Sequence, residues 1–477
     1  MARKWWTLVA VCTGVFMLLL DLTVVNVALP DIRRAFHASL SDLQWTIDAY
    51  ALTLAAFLLT AGSLADLFGR RRLFAAGLAI FIAGSLACGL AGDSLFLVLA
   101  RAFQGVGGAI MFATSLALIA QAFRGRDRAI AFGVLGAVTG VAVAVGPVLG
   151  GLLTSGISWR WIFFVNLPVG ILALVVTLAR VDESRNPFAK RPDIPGFLTF
   201  STGLAALTFG LIRSAPDGWG SATVLCALAA AGVLLAAFVA VEALQRDPMF
   251  DLHLLRKPTF GGGLLAALAI NGSLFSLLTY LVLYFQQALG LSASQTGVRF
   301  LPLTVAIFFA SGIAGRLSEH VPTRALMAPG FALVGGGLLL MRGLTPSSDW
   351  THLLPGMIVA GIGAGLVNVP LAATAIGIVE PARAGMASGV NTTFRQVGTA
   401  TGVAALGSVF AAHLHAGAPA QVRAGVVDGL NEIILIAACV AFAAVVATLL
   451  LIRQRDFVDS TAHDALPVEP QVTPTPA

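Results

Sequence analysis

Long apolar runs alternate with short polar interruptions along the whole chain, and nearly all the runs are of similar length. They fall at roughly 6–29, 44–65, 73–91, 95–121, 129–154, 161–179, 194–213, 221–244, 260–288, 296–315, 324–343, 351–378, 386–412 and 430–452. A helix needs roughly 20 apolar residues to cross a hydrocarbon core. Barrel strands would instead alternate apolar and polar residues. The pattern predicts an all-α membrane protein of about fourteen transmembrane helices.

Composition agrees. Of 477 residues, 58% are hydrophobic and 11% charged, with mean hydropathy +0.90. A soluble domain carries about 25% charged residues, so a water-facing fold is excluded. The net charge of +6 would suggest nucleic acid in a soluble chain. No basic-aromatic patch exists here, and cytoplasmic loops of membrane proteins collect Lys and Arg. No nucleic-acid partner is expected. Cys12, Cys88, Cys226 and Cys439 lie inside apolar runs with no CxxC pair, which implies neither disulfides nor a metal site. The first run is too long for a cleavable leader and ends at Leu29-Pro30 without a small-residue cleavage site; it reads as the first span.

The charges orient the bundle. About 20 basic residues, among them Arg3, Lys4, Arg70, Arg71, Arg72, Arg124, Lys190 and Arg453, fall on one side. About 6 fall on the other: Arg33, Arg34, Arg160, Arg213, Arg342 and Arg423. This bias predicts cytoplasmic termini and a multi-pass protein of the cytoplasmic membrane. Richness in Ala, Gly and Arg points to a bacterial source. The Pro-rich tail at 454–477 reads as disordered.

An internal repeat organises the rest. Gly62-Ser63-Leu64-Ala65-Asp66-Leu67-Phe68-Gly69-Arg70-Arg71 has a faded copy in Gly315 to Arg324. Gly105-Val106-Gly107-Gly108 matches Gly361-Ile362-Gly363-Ala364, and Gly133-Val134 with Gly146 match Gly389-Val390 with Gly402. The offsets are 253 to 256 residues, or eight spans. The chain therefore divides into a six-helix half at 1–180, a basic loop and two inserted helices at 181–258, a second half at 259–453, and the tail. Paired halves rocking about a central site make a transporter.

Several constellations carry mechanism. In Gly62-x-Leu64-Ala65-Asp66-x-x-Gly69-Arg70-Arg71-Arg72, the glycines permit close helix approach and a tight turn. Asp66 can pair with loop arginines or a neighbouring helix N-terminus, a clasp that locks one state. Gly136, Gly140, Gly146, Gly150 and Gly151 give helix 5 a small face, and Pro147 bends it. That is either a hinge or seal between halves, or simple close packing. Ionisable residues within spans are few: Asp21, Asp48, Arg101, Arg299 and Arg395. Asp21 lies about 24 Å along helix 1, Arg101 about 9 Å and Asp48 about 6 Å from the outer ends of helices 4 and 2, so the three can share a layer. A guanidinium favours the carboxylate while burial favours the acid, which makes Asp21 the expected proton carrier and Arg101 its modulator. The alternative is a static ion pair. Asp48 is a second proton site, an attractor of cationic substrate, or a residue wetted from outside. Arg395, about 14 Å into helix 13 beside Asn391, Phe394 and Gln396, touches substrate, neutralises an acid, or packs against carbonyls.

These segments resemble the major facilitator superfamily, specifically its 14-helix drug:proton antiporter branch. The likeness rests on the helix 2–3 loop and on Leu20-Asp21-Leu22-Thr23-Val24-Val25-Asn26-Val27-Ala28-Leu29-Pro30. It rests also on Arg101-Ala102-Phe103-Gln104-Gly105-Val106-Gly107-Gly108, on Gly140-x5-Gly146-Pro147-x-x-Gly150-Gly151, and on Trp159 to Pro168. The resemblance implies export in exchange for protons, with Asp21 and Arg101 in the coupling. It implies a substrate cavity walled by helices 1, 4, 9 and 12. Asn26, Gln104, Asn271, Phe275, Tyr280, Asn368, Asn391, Phe394 and Arg395 are its candidate contacts. Such walls suit amphipathic drugs, dyes and antibiotics, often cationic or neutral.

No Walker motif, nucleophile elbow or zinc motif occurs, and His413 with His415 is too few ligands for a metal. The expectation is a non-enzymatic, cofactor-free monomer driven by the proton gradient, with protons, lipid and a small amphipathic molecule as partners. The alternative is an exporter narrow for one antibiotic, metabolite, lipid or peptide.

Overall fold

The computed structural model describes residues 3–123, 125–185, 192–245, 248–318, 320–379, 384–414 and 419–457. Most of the expected disordered tail (458–477), Arg124, Lys190 and His415 fall outside them; the tail's first residues instead form a short turn at Gln454–Asp456, held by hydrogen bonds from Thr259 to Asp456. The described residues form fourteen long helices and no strand: α1 Arg3–Phe36, α2 Leu40–Phe68, α3 Arg70–Gly89, α4 Ser94–Ala122, α5 Gly125–Gly156, α6 Trp161–Arg180, α7 Ile194–Asp217, α8 Ala222–Leu244, α9 Pro258–Ala288, α10 Ala293–Leu317, α11 Thr323–Met341, α12 Leu354–Gly377, α13 Ala384–Ala412 and α14 Pro419–Leu451. Thirteen are long and apolar enough to cross a membrane by composition. The exception is α13, whose threonines, glycines, Asn391 and Arg395 dilute it.

Local chemistry sets the ends. A capping box between Ser39 and Asp42 starts α2, Asp93 caps α4, and Ser292 with Gln295 starts α10. Two boundaries differ from the apolar pattern. Helix α1 runs through Pro30 to Phe36, its last turn closed by an Arg34–Asp31 pair at 2.6 Å. Helix α14 begins at Pro419, because a turn holding Arg423 and Asp428 continues the helix beyond the apolar stretch.

The repeat is visible in packing. In one half, α4 lies between α2 and α3; in the other, α12 lies between α10 and α11. Gly107 abuts Phe81 and Gly77 on α3, and its repeat partner Gly363 abuts Gly330 and Val334 on α11. Gly84 meets Gln104, while Gly337 meets Ala360. At each of these positions a side chain would displace a neighbouring helix.

Two seams join the halves, α2 against α13 and α5 against α10. The inserted helices α7 and α8 pack on each other, and α7 lies over the first seam, touching both α2 and α13. Phe197 stacks edge-on to Phe57 at 4.8 Å, and Phe209 meets Trp45 at 6.4 Å. Helix α9 contains two π-helical turns, at Asn271–Phe275 and Tyr284–Ala288.

Candidate functional site

Five helices converge on one buried polar cluster in the first half. Asp21 and Arg101 form an ion pair with side chains at most 1% exposed. Gln104 Nε2 donates to the second Asp21 oxygen at 3.0 Å, and Asn166 Nδ2 donates to that oxygen at 3.3 Å. Arg101 also donates to Gln104 Oε1 at 2.8 Å and to the Thr46 carbonyl at 3.2 Å. Its guanidinium lies 4.2 Å from the centre of the Tyr50 ring. Ser85 accepts from both amides, at 2.8 and 3.3 Å. Every contact to the Asp21 carboxylate is thus a donor, three in all among the described residues. A proton on Asp21 removes the charge that strengthens those bonds, each charge-assisted bond being worth about 1.5–3 kcal/mol.

Asn166 and Ser85 did not stand out in the sequence. Asn166 has a signal: it is the polar residue of an apolar junction immediately before Leu167-Pro168. Gln104 was expected on the substrate wall; it is 0% exposed and belongs to this cluster instead. The repeat gives the second half no copy, because Met357 stands where Arg101 does in the first.

Asp48 is 0% exposed, so it is not wetted from outside, and neither carboxylate oxygen has a hydrogen-bond partner. It sits one turn from Gln44, which donates to the Val403 carbonyl at 3.2 Å and to the Tyr280 hydroxyl at 3.3 Å. An ionised carboxylate there costs several kcal/mol uncompensated; the neutral acid fits. Tyr280, also expected on the substrate wall, is fully buried and donates to Val403 across α9 and α13.

The remaining candidates divide by depth. Thr279 donates to Asn26 Oδ1 at 3.2 Å, tying α9 to α1. Asn26 and Phe275 border a narrow apolar cavity of about 30 Å³, with Thr23, Pro147 and Ile307. Ligand pockets run to about 300–1,000 Å³, so that cavity holds no drug-sized molecule in this state. Asn271 is partly exposed on the first π-helical turn, its amide donating to Ala267 at 3.0 Å. Arg395 is partly exposed and donates to Asn368 Oδ1 at 3.0 Å and Asn391 Oδ1 at 3.4 Å. Phe394 is partly buried against the cores of both halves.

The helix 2–3 loop is cross-tied. Gly69 has φ +106, the left-handed region that favours glycine. Arg70 pairs with Asp66 at 2.8 Å and reaches Gln121 on α4 at 2.8 Å. Glu183, not anticipated, accepts the Arg71 and Arg72 amides at 3.1 and 3.2 Å, capping α3. The close helix approach expected at Gly62 is missing: nothing lies within 4 Å of a side chain placed there.

In the helix-5 motif, Gly146 and Gly150 press on Thr23 and Val24 of α1, within the half. Gly151 and Pro147 press across the seam on Ala293 and Gly297 of α10. Gly140 faces Phe308, a Cβ there lying 3.5 Å from the ring. Gln286 donates to the Val27 carbonyl at 2.8 Å, and Arg33 to Gln287 at 3.3 Å. These ties gather at the face away from Arg3 and Phe457. Toward the terminus-bearing ends of α5 and α10, Gly133, Gly136, Gly312 and Gly315 meet nothing within 4 Å among the described residues. The contacts between the halves described along this seam thus gather at the opposite face.

The family model of the Major Facilitator Superfamily matches residues 11–403 and 265–466. Multidrug resistance protein Stp of Mycobacterium tuberculosis (strain CDC 1551 / Oshkosh) is 37% identical over 430 residues, covering 90% of this chain and 80% of that one. Puromycin resistance protein pur8 of Streptomyces alboniger is 38% identical over 482 residues, covering 98% and 96%. The crystal structure of the human organic anion transporter TETRAN superposes with TM-score 0.65 at 15% identity, covering 94% and 100%, a likeness of fold alone.

Proposed function

The chain belongs to the major facilitator superfamily, a family of membrane transporters, and from that premise we propose that it exports amphipathic organic compounds in exchange for protons. Its relatives are named for multidrug resistance, puromycin resistance and cephamycin export. The observation that carries proton coupling is the buried Asp21 carboxylate, held by three donors from α4 and α6, with a second buried acid, Asp48, unsatisfied on α2. A proton reaching Asp21 weakens the charge-assisted contacts among α1, α4 and α6, and so biases how the first half sits.

The charge bias supports cytoplasmic termini, and relatives in Mycobacterium and Streptomyces support a bacterial cytoplasmic membrane. In that orientation the face tied by Gly151 and Gly297 is extracellular, and the terminus-bearing ends of α5 and α10 face inward. The division at 1–180, 181–258, 259–453 and 454–477 follows the two halves and their insert. The protein works without cofactor, as a monomer, and Asp66, Arg70 and Glu183 form the clasp that reorganises between states. Export narrow for one antibiotic is the second reading, which relatives named for single antibiotics favour.

Purified protein in liposomes under an imposed pH gradient tests this. The expected result is dye movement against its gradient with opposite proton flow, lost in Asp21→Asn. Full uphill, pH-dependent export by that variant refutes the coupling scheme.

A further inference from the structure

Arg101 and Arg395 both lie within the bundle, and they are held differently. Arg101 has a carboxylate, two oxygen acceptors and an aromatic face. Arg395 has two amide oxygens and no acid: it forms no ion pair among the described residues. Asn391 and Asn368 orient the guanidinium without neutralising it, and Nη2 has no hydrogen-bond partner among the described residues. Beside it, Asn391 Nδ2 is buried and has no acceptor, in a side chain 4% exposed. The amide cannot be turned to relieve this, because its nitrogen would then face the guanidinium.

Depth and direction locate the group. Counting 1.5 Å per residue, Arg395 lies about 17 Å into α13, Asn368 about 14 Å into α12 and Asn271 about 20 Å into α9 from the terminus-bearing face. That is mid-membrane, where an uncompensated charge facing lipid is costly. Arg395 reaches back to Asn368 on α12 and lies on α13, the helix that forms the seam with α2 of the other half. What this wall lacks is an acceptor carrying negative charge.

Resting on the export reading above, we propose that Arg395, with Asn391 Nδ2 beside it, is the anchor for an anionic oxygen group, chiefly a carboxylate, on the exported molecule. The favoured substrates are amphipathic acids and zwitterions rather than the plain lipophilic cations that the family resemblance suggests. A planar guanidinium offers two parallel N–H groups to a carboxylate. The Asn391 amide adds a donor at the side. Binding the acid satisfies both polar groups that this state leaves open, Arg395 Nη2 and Asn391 Nδ2, and neutralises the guanidinium; an ester carbonyl accepts a hydrogen bond but brings no charge, and a simple cation satisfies neither group.

A matched dye pair tests it. Rhodamine 110 carries a free carboxylate, and rhodamine 123 is its methyl ester. Binding to the purified full-length protein in detergent, read by fluorescence polarisation without any gradient, isolates the site from coupling. Wild type is expected to bind rhodamine 110 about tenfold or more tighter than rhodamine 123, as for a charge-assisted bond. Arg395→Gln should erase the difference by weakening rhodamine 110 alone, and Arg395→Lys should restore part of it. Equal affinity of wild type for the two dyes, including equal absence of binding, overturns the proposal. So does equal weakening of both by Arg395→Gln. Liposome uptake under a pH gradient then separates the two readings. If the acid preference is present in binding but neither dye moves uphill, the antiport reading fails and the anion anchor stands.

Discussion

Asp21 is held by three donors whose strength depends on its charge, and that gives the residue scale its sharpest predictions. Asp21→Asn should abolish uphill, proton-linked export and retain downhill flux, measured by paired dye and pH readings in liposomes. Asn166→Ala removes one donor, at 3.3 Å, from the same oxygen that Gln104 serves. It should reduce coupled export several-fold. Residues acting as one unit are not additive, so Asn166→Ala combined with Asp21→Asn should be no worse than Asp21→Asn alone. An additive double variant would mean that Asn166 acts elsewhere. The pairing of Asp21 with Arg101 was legible because charges are rare inside spans and their depths could be counted. Asn166 and Ser85 were not, since a lone amide or hydroxyl in an apolar run has many harmless uses. Gln104 and Tyr280 were expected on the substrate wall because the family resemblance points to helices 4 and 9 and amide and aromatic side chains suit such a wall; in the structure both are fully buried.

Among elements, α5 is the most constrained. A side chain at Gly151 meets the Ser294 Cα at 2.8 Å across the seam, whereas one at Gly136 meets nothing within 4 Å. Gly151→Val should therefore hold the halves apart at that face and cut export by an order of magnitude or more, while Gly136→Ala leaves it near wild type. Thiol accessibility of a cysteine at Ser294, read in each background, checks the first effect directly. At the other end of the half, Glu183→Ala uncaps α3 and should cost about 1 kcal/mol, seen as a lower melting temperature. The loop after α14 has its own tie: hydrogen bonds from Thr259 hold Asp456 below its ordinary carboxylate value of 3.8. A lowered carboxylate stabilises above its ordinary value and loses that contribution as the pH falls through the lowered one. The small difference in melting temperature between wild type and Asp456→Asn at neutral pH should then close once the pH falls well below 3.8. Apolar periodicity located all fourteen helices, but not the continuation of α1 past Pro30 or the π-helical turns of α9. Those depend on what packs alongside, which one strand of sequence does not display.

For the whole molecule, the repeat was readable because the same small residues recur wherever α4 and α12 meet their neighbours. The seat of α7 and α8 was not, since apolar helices carry no label for the surface they cover. Alternation between the two open faces requires the ties at Val27, Arg33, Gln286 and Gln287 to break in each cycle. Cysteines at Arg33 and Gln287 joined by a short reducible cross-linker should stop export, and reduction should restore it. Export that persists through the cross-link would show that this face stays closed throughout.

The placement of α7 has a consequence for how a molecule dissolved in the bilayer gets in. With α7 roofing the α2–α13 seam, the α5–α10 side is, among the described residues, the inter-half seam left uncovered, edged by exposed Val141, Val145, Val305 and Phe309. The protein thus has a front and a back in the plane of the membrane. Lipophilic cargo that arrives sideways is admitted through a single door, whose jambs are the glycine-faced helix and its partner, and a photoreactive lipid-soluble ligand should label those two helices and spare the roofed side.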